Sequence, residues 1–278
     1  MIGDQPILVD FDQSILVEGE MKSRAAGSAI DRGGARGAKR RIMQALLPRN
    51  RVAAANASRF IELARALAEH PKVLIVGGGS PGEGTDALYS DSSIRLIAFD
   101  IYASELTQFV ADAHRIPLAD SSIDAIWIQA VLEHVLDPWQ VVEEIHRVLK
   151  PRGIVYAETP FLQQVHEGAY DFTRFTESGH RWLFRQFEEI DSGVVLGPAS
   201  QLLWSIEHVV RGLFRSVTAG VIAKMLLFWL RYFDRIIPRR YASDAASAVY
   251  FLGRKSDTAI GPKDMVAFYR GAHARRSA

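Results

Sequence analysis

The chain has 278 residues, 48% hydrophobic and 23% charged, with a formal net charge of +1 and no cysteine. That length buries a full core and suits one domain with additions, and the absence of cysteine excludes disulfides, thiolate metal sites and a cysteine nucleophile. A reducing cytoplasm fits this composition, and the acidic start of the chain lacks an apolar core of signal-peptide length, so secretion is not expected.

The near-zero total charge hides a polarised distribution. Residues 1–20 carry five acids and no base, whereas residues 21–55 carry nine Lys or Arg against Asp31 alone. Within this N-terminal arm, 1–51, the segment PILVDFDQSILV has short apolar runs suited to a hairpin or edge strands. Gly27 to Arg41 is rich in Gly, Ala and Arg and reads as a mobile basic connector. No aromatics interleave with its arginines, so a solvated arm is favoured over a nucleic-acid contact. From Val52 to His70, Phe60, Ile61, Leu63, Ala64 and Leu67 recur at helical spacing, and Pro71 ends the helix.

The centre of the chain is KVLIVGGGSPGEG, Lys72 to Gly84. Four apolar residues run into Gly77, Gly78 and Gly79, with Gly82 and Gly84 close behind, the pattern of a buried strand breaking into a tight turn and then a helix. Glycines let the backbone take positive φ and lie against a ligand, so the turn reads as a nucleotide cradle. The spacing alone does not choose among nucleotide cofactors. Strands are expected at 73–76, 94–99, 109–111, 125–128 and 154–158, with helical stretches near 83–89, 104–107 and 138–149. This alternation predicts a parallel sheet covered on both faces, with ligands at the carboxyl ends of its strands. Asp100 closes the second strand, 23 positions after Gly77, where an acid accepts hydrogen bonds from ribose hydroxyls.

From Asp112 to Gly153 the chain reads DAHRIPLADSSIDAIWIQAVLEHVLDPWQVVEEIHRVLKPRG. Here it resembles the class I S-adenosylmethionine-dependent methyltransferases, in particular the type 11 group. The resemblance runs colinearly from residue 72 to about 190. It implies an α/β fold, a Rossmann-like seven-stranded sheet with helices on both faces, and S-adenosyl-L-methionine as cofactor. Carried over position by position, Gly77, Gly78 and Gly79 would pass under the methionine part, with Gly82 available for close approach. Asp100 would hold the ribose with Ile101 beside it, Asp112 and Ala113 would meet the adenine edge, and Ile128 and Gln129 would lie near the amino-acid end. Val76 stands where the family usually has an acid for the cofactor's ammonium, so another group must meet that charge. Asp124 is expected to be structural. Glu133 and His134 resemble metal ligands of some quinone-ring O-methyltransferases, but Ala130 replaces their companion acid, so no metal is expected. Glu143, Glu144, His146 and Arg147 are expected on the solvated face of their helix.

After the fifth strand, residues 158–176 read ETPFLQQVHEGAYDFTRFT and should hang over the methyl acceptor. Polar His166, Glu167, Tyr170, Asp171 and Arg174 among Phe161, Phe172 and Phe175 suit a small-substrate pocket. His166 is the candidate base for a hydroxyl acceptor, with Glu167 or Asp171 to orient it. Similar loops occur in methyltransferases associated with bacterial envelope glycan biosynthesis. The acceptor is therefore expected to be a hydroxyl of a small molecule or glycan intermediate. A non-catalytic scaffold and a nicotinamide-dependent oxidoreductase are the alternatives. The second lacks a Tyr-x-x-x-Lys pair after the fourth strand.

Thr176 to Phe187 reads as a helix, followed by a sixth strand near 194–196. The core, 52–198 plus 245–255, is then interrupted at 199–244 by apolar helical stretches, and the final strand waits until 248–253. Residues 199–240 hold seven bases and two acids. An active-site cap or homodimer surface is the favoured reading, with an interfacial hairpin on an anionic membrane as its competitor. The basic tail, 256–278, is expected to fray around a short helix at 265–270.

Overall fold

Period-two alternation along the central strands builds the two halves of the core. In the computed structural model, which describes residues 4–19 and 51–274, Leu74 and Val76 join Ile126, Ile128, Val155 and Ala157 on one face of the sheet. Val73 and Ile75 join Ala125, Trp127, Ile154 and Tyr156 on the other. Both faces of every central strand are thus apolar, as a sheet covered by helices on two sides requires.

Seven strands form one sheet in the order β3-β2-β1-β4-β5-β7-β6. They are β1 (Lys72–Val76), β2 (Arg95–Asp100), β3 (Phe109–Val110), β4 (Ile123–Gln129), β5 (Leu149–Pro160), β6 (Phe187–Leu196) and β7 (Ala248–Lys255). Strands β1 to β5 run parallel, and β7 is antiparallel to both β5 and β6. The order reverses between β1 and β4, which places the switch-point crevice over the glycine turn. Helix α1 (Arg51–Arg65) buries Ala57, Phe60, Ile61 and Ala64 on one face. Phe60 meets Trp127 edge-on at 5.4 Å, and Trp127 stacks on Tyr156 at 3.8 Å. On the opposite face lies α3 (Pro138–Val148), capped by Asp137, whose side chain accepts from the amides of Trp139 and Gln140. Asp124 accepts from Lys72 N at 2.9 Å and from Lys150 Nζ at 2.7 Å, the structural role expected of it.

Several expectations are corrected. Helix α2 (Asp86–Ser90) begins three residues later than the pattern suggested, because Gly84 sits at φ 85°, outside any right-handed helix. The stretch 104–107 is a turn rather than a helix, closed by Ser104 N donating to Thr107 Oγ1 at 3.0 Å. Helix α4 (Glu177–Leu183) stops short of Phe187, which already begins β6. Buried Arg181 folds back to donate to the carbonyls of Phe184 and Phe187, ending the helix through side-chain hydrogen bonds that no periodicity reveals. Glu144 and Arg147 of α3 are half-buried rather than free in solvent. They bond each other and also hold Ile116 N, Ile116 O and Leu118 O, clamping the segment that follows β3.

The N-terminal run supplies an edge pairing, with Ile7 bridging Val110 in parallel and Leu8 N donating to Val110 O at 2.8 Å. Ile7, Val9, Phe11 and Leu16 pack on Ala103 and Val110. The basic connector 27–41 lies outside the described residues. The described part of the tail, 256–274, is pinned rather than frayed. Helix α8 spans Pro262–Phe268, Arg270 pairs with Glu189 at 2.9 Å, and Tyr269 donates to Asp244 at 2.8 Å.

His180 of α4 is 2% exposed among Phe175, Phe184 and Phe251, and burial holds its imidazole down at about 3. It is neutral in the folded protein, while the unfolded chain protonates it below its ordinary value. Stability is therefore retained above about pH 6.5 and lost as pH falls toward 3, with a slope from this group of at most about 1.4 kcal/mol per pH unit. Chemical denaturation from pH 7 to pH 4 should show His180→Phe losing less stability than the parent chain. An equal loss would refute the assignment.

Candidate functional site

The glycine turn is built by hydrogen bonds to the neighbouring strand. Gly77, at φ 75°, and Gly78 both donate to Phe99 O, at 3.0 and 2.9 Å. A Cβ at Gly77 would overlap Val131, and one at Gly78 would sit 2.7 Å from Ala98 Cβ. Gly79 N donates to Asp100 Oδ2 at 2.8 Å, and Ile101 N donates to Asp100 Oδ1 at 2.7 Å. Asp100 thus spends two of the roughly four acceptor positions of a carboxylate on holding the turn. The Tyr102 ring lies against Gly79 and forms a wall that the sequence reading missed. Nearby Tyr89 is pushed up to about 12 by burial and by Asp100 and Tyr102. Because α2 is late and short, the turn is braced by strand β2 and not by a following helix.

At the next strand end, Asp112 accepts from His114 N at 3.0 Å, from His114 Nδ1 at 2.6 Å and from Ser14 Oγ. Burial opposes its charge, but the hydrogen bonds from His114 and Ser14 prevail and hold the carboxyl below its usual range. His114 Nε2 accepts from Asp137 N at 3.1 Å, which fixes the tautomer. Ala113 is buried beside it. Nothing local in the sequence connects Ser14 to Asp112, 98 positions away. The DAH spacing is the only available signal for His114.

Gln129, at the end of β4, brings a second acid to the turn. Its Nε2 donates to Glu83 O at 3.2 Å and to Glu158 Oε2 at 3.3 Å, while its Oε1 abuts Gly82, where a Cβ would overlap it. Glu158 also accepts from Tyr156 OH at 3.0 Å. Burial pushes its carboxyl up to about 7 against the lowering effect of these hydrogen bonds. Ile128 contributes only backbone here, its side chain being in the core. Val76 likewise faces the core.

The loop after β5 is anchored on the 3-10 turn Leu132–His134. Phe172 N donates to Glu133 O at 2.8 Å, and His134 Nδ1 bonds Tyr170 O at 2.7 Å. Arg174 forks onto Asp171 and also donates to the carbonyls of Gln163 and Thr173, at 2.9 and 2.8 Å. Burial opposes the charge on Asp171, but Arg174 and the His166 amide pull its carboxyl down to about 2. His166 Nδ1 lies 3.4 Å from Asp171 Oδ2, and its Nε2 lies 3.8 Å from Glu133 Oε1. Glu133 is 1% exposed, its oxygens have no hydrogen-bond partner among the described residues, and burial lifts its carboxyl to about 8. Its nearest polar neighbours are the two imidazoles. Sequence reasoning disfavoured a metal here because Ala130 is not an acid. The fold instead brings in His166, so that one carboxylate and two imidazoles offer donor atoms within 4.8 Å of one another. Glu167 lies beside this group, its charge felt by His134.

A parallel sheet with a glycine turn at its switch point, acids at the ends of β2 and β5 and after β3, and an antiparallel final pair is the Rossmann-like architecture of class I methyltransferases. Residues 74–157 match the family model described as a methyltransferase domain. Over 96 residues the chain is 34% identical to the uncharacterized methyltransferase Mb0229c of Mycobacterium bovis, covering 30% of this chain and 37% of that protein. Over 59 residues it is 41% identical to the ubiquinone/menaquinone biosynthesis C-methyltransferase UbiE of Geotalea daltonii, covering 21% and 25%. The chain therefore spans little more than a third of the length of these curated relatives at most. A structure titled as a putative sarcosine dimethylglycine methyltransferase from Galdieria sulphuraria superposes with a TM-score of 0.48 at 18% identity, covering 73% of this chain and 85% of that one.

The loop's order depends on one side chain. Arg174→Ala should speed backbone amide exchange across 163–172 by roughly tenfold or more, because an opening free energy lowered by about 1.4 kcal/mol gives that factor. Exchange at α3 should not change. Mass-spectrometric exchange that is unaltered in the loop would show that the 3-10 turn alone holds it.

Proposed function

We propose that the chain is an S-adenosylmethionine-dependent methyltransferase acting on a hydroxyl of a small molecule or glycan intermediate. The observation that carries this reading is the alignment of Gly79, Asp100 and Asp112 along adjoining strand ends within a methyltransferase domain. The construction of the turn supports this: Gly77 and Gly78 are packed with no room for a Cβ, and Asp100, held by two amides, would accept from a ribose. Asp112 and Ala113 would take the adenine edge, under the cover of Ser14. Glu158, carried to Gly82 through Gln129, would meet the ammonium for which Val76 offers nothing.

When bound, the cofactor supplies both the methyl group and its leaving group, so the protein contributes alignment, worth roughly 7–11 kcal/mol in well-oriented systems. The loop after β5 closes the acceptor side and limits water. His166 would take the acceptor's proton at Nε2, with Asp171 holding its Nδ1 side and stabilising the imidazolium, and Glu167 nearby. The cluster of Glu133, His134 and His166 favours a second reading of the acceptor site, in which a divalent cation polarises the hydroxyl. A chelator that abolishes turnover, reversed by added manganese or magnesium, would select that reading, and chelator-insensitive turnover would select the first.

Calorimetric titration should show binding of S-adenosylmethionine and not of NAD. Binding of neither would favour a scaffold. Glu158→Gln should weaken binding by about tenfold, the scale of one charge-assisted hydrogen bond. His166→Ala should leave cofactor affinity intact and lower turnover by roughly 10²–10⁴-fold. Unchanged turnover with an oxygen acceptor would remove it as the base.

A further inference from the structure

The segment between β6 and β7 folds as α5 (Pro198–Phe214), α6 (Val217–Leu226), a 3-10 helix (Phe228–Arg235) and α7 (Arg239–Ser243). Its inner side is fully engaged. Gly220 of α6 packs against Arg211 and the backbone of Glu207, and the Glu207 carboxylate pairs with Lys224 at 2.8 Å. Asp234 accepts from Ala199 N, Ser200 N and Ser200 Oγ, which caps α5.

The outer side is apolar to a degree that a free surface seldom sustains. Leu213, Phe214, Leu226 and Ile236 are 75%, 69%, 72% and 73% exposed, and Trp229 and Phe233 are 46% and 45% exposed. Trp229 and Phe233 of the 3-10 helix meet edge-on at 6.0 Å, and Ile236 follows at its end. Leu213 and Phe214 end α5, whereas Asp234, between Phe233 and Ile236, sits at the start of α5, and this many large apolar residues left exposed along one hairpin mark a docking surface. These residues do not form core, since that role would bury them.

Charge decides the occupant. Both acids of 199–240 are spent internally, on Lys224 and on the start of α5. The cations next to the apolar residues are turned outward: Arg215, Arg235 and Arg240 are exposed. Arg235 lies over the Tyr232 ring at 4.9 Å and Arg240 over Tyr241 at 4.7 Å. Aromatic and aliphatic residues flanked by arginines are the composition of a helix lying in a lipid interface. A second copy docked face to face would set these arginines against each other across a two-fold axis. No described helix is long and apolar enough to cross a membrane, so contact would be parallel to the surface.

We propose that this hairpin docks the protein on an anionic lipid surface. The loop after β5 touches this hairpin: Gln164 Nε2 donates to Ser205 Oγ of α5 at 3.0 Å, and Leu162, Val165 and Phe172 are exposed. Docking therefore brings the acceptor crevice to the headgroup layer. That last step rests on the methyltransferase reading, whereas membrane contact does not.

The test is co-sedimentation of the full chain with phosphatidylcholine vesicles, with and without phosphatidylglycerol. Binding is expected with the anionic vesicles only, weakening as salt rises. The double variant Trp229→Ser, Phe233→Ser should bind at least about tenfold more weakly, given the apolar area it loses. Arg215→Glu with Arg235→Glu should release the protein at low salt. Hydrogen exchange on vesicle addition should slow in 213–236 and in 162–172. No binding, binding undiminished in both variants, or a stable dimer in which 213–236 is already protected would overturn the proposal. Protection of 213–236 without 162–172 would overturn only the presentation of the crevice. Calorimetric titration with S-adenosylmethionine on the same samples reports separately on the methyltransferase reading.

Discussion

The carboxylate of Asp100 ties the site together. It sits at the last residue of β2 and receives the amides of Gly79 and Ile101, while the carbonyl of Phe99 one residue earlier receives those of Gly77 and Gly78. Four amides of two loops are thereby fixed to one strand end, and the turn can remain open without a following helix to brace it. Because β1 and β2 pair in register from Lys72 with Arg95 to Val76 with Phe99, their ends arrive together. The two-faced burial of these strands supplies the rigidity that a loop-built cradle lacks by itself.

Around that centre, distant pieces of chain are recruited to finish each strand end. Ser14 reaches Asp112, Glu158 reaches Gln129, and His166 reaches Glu133 and His134. Each joins residues tens of positions apart, and each brings a charged or titratable group to a place where burial or hydrogen bonding alters it. Glu133 and Glu158 are lifted by burial, whereas Asp112 and Asp171 are lowered by the donors that surround them. Carboxyls held in different protonation states within one crevice give both donors and acceptors at neutral pH.

The insertion before β7 shows a division of labour in one element. Glu207, Asp234 and Gly220 face inward and hold the hairpin together; Leu213, Phe214, Leu226 and Ile236, with Arg215, Arg235 and Arg240, are exposed. Strand β7 lies antiparallel between β5 and β6 irrespective of what precedes it, so the sheet tolerates such an addition at its edge. Only exposure separates a cap from a docking surface here, since helical spacing is the same for both.

The linear order of residues determined the strands, because apolar runs of this length between turn residues have few other solutions, and β1, β4 and β7 fall where the pattern put them. It also located the glycine turn, since a turn this tight at φ 75° with no room for a Cβ needs glycine, and it put Asp100, Asp112 and Gln129 at or just after strand ends. The starts of α2 and β6, the clamp of Glu144 and Arg147, the hydrogen bond of Ser14 to Asp112, that of Gln129 to Glu158 and the grouping of His166 with Glu133 were decided by tertiary structure alone. Hydrogen bonds between residues far apart in sequence leave no periodicity to read, and burial, which sets the charge of these groups, does not exist until the chain has folded.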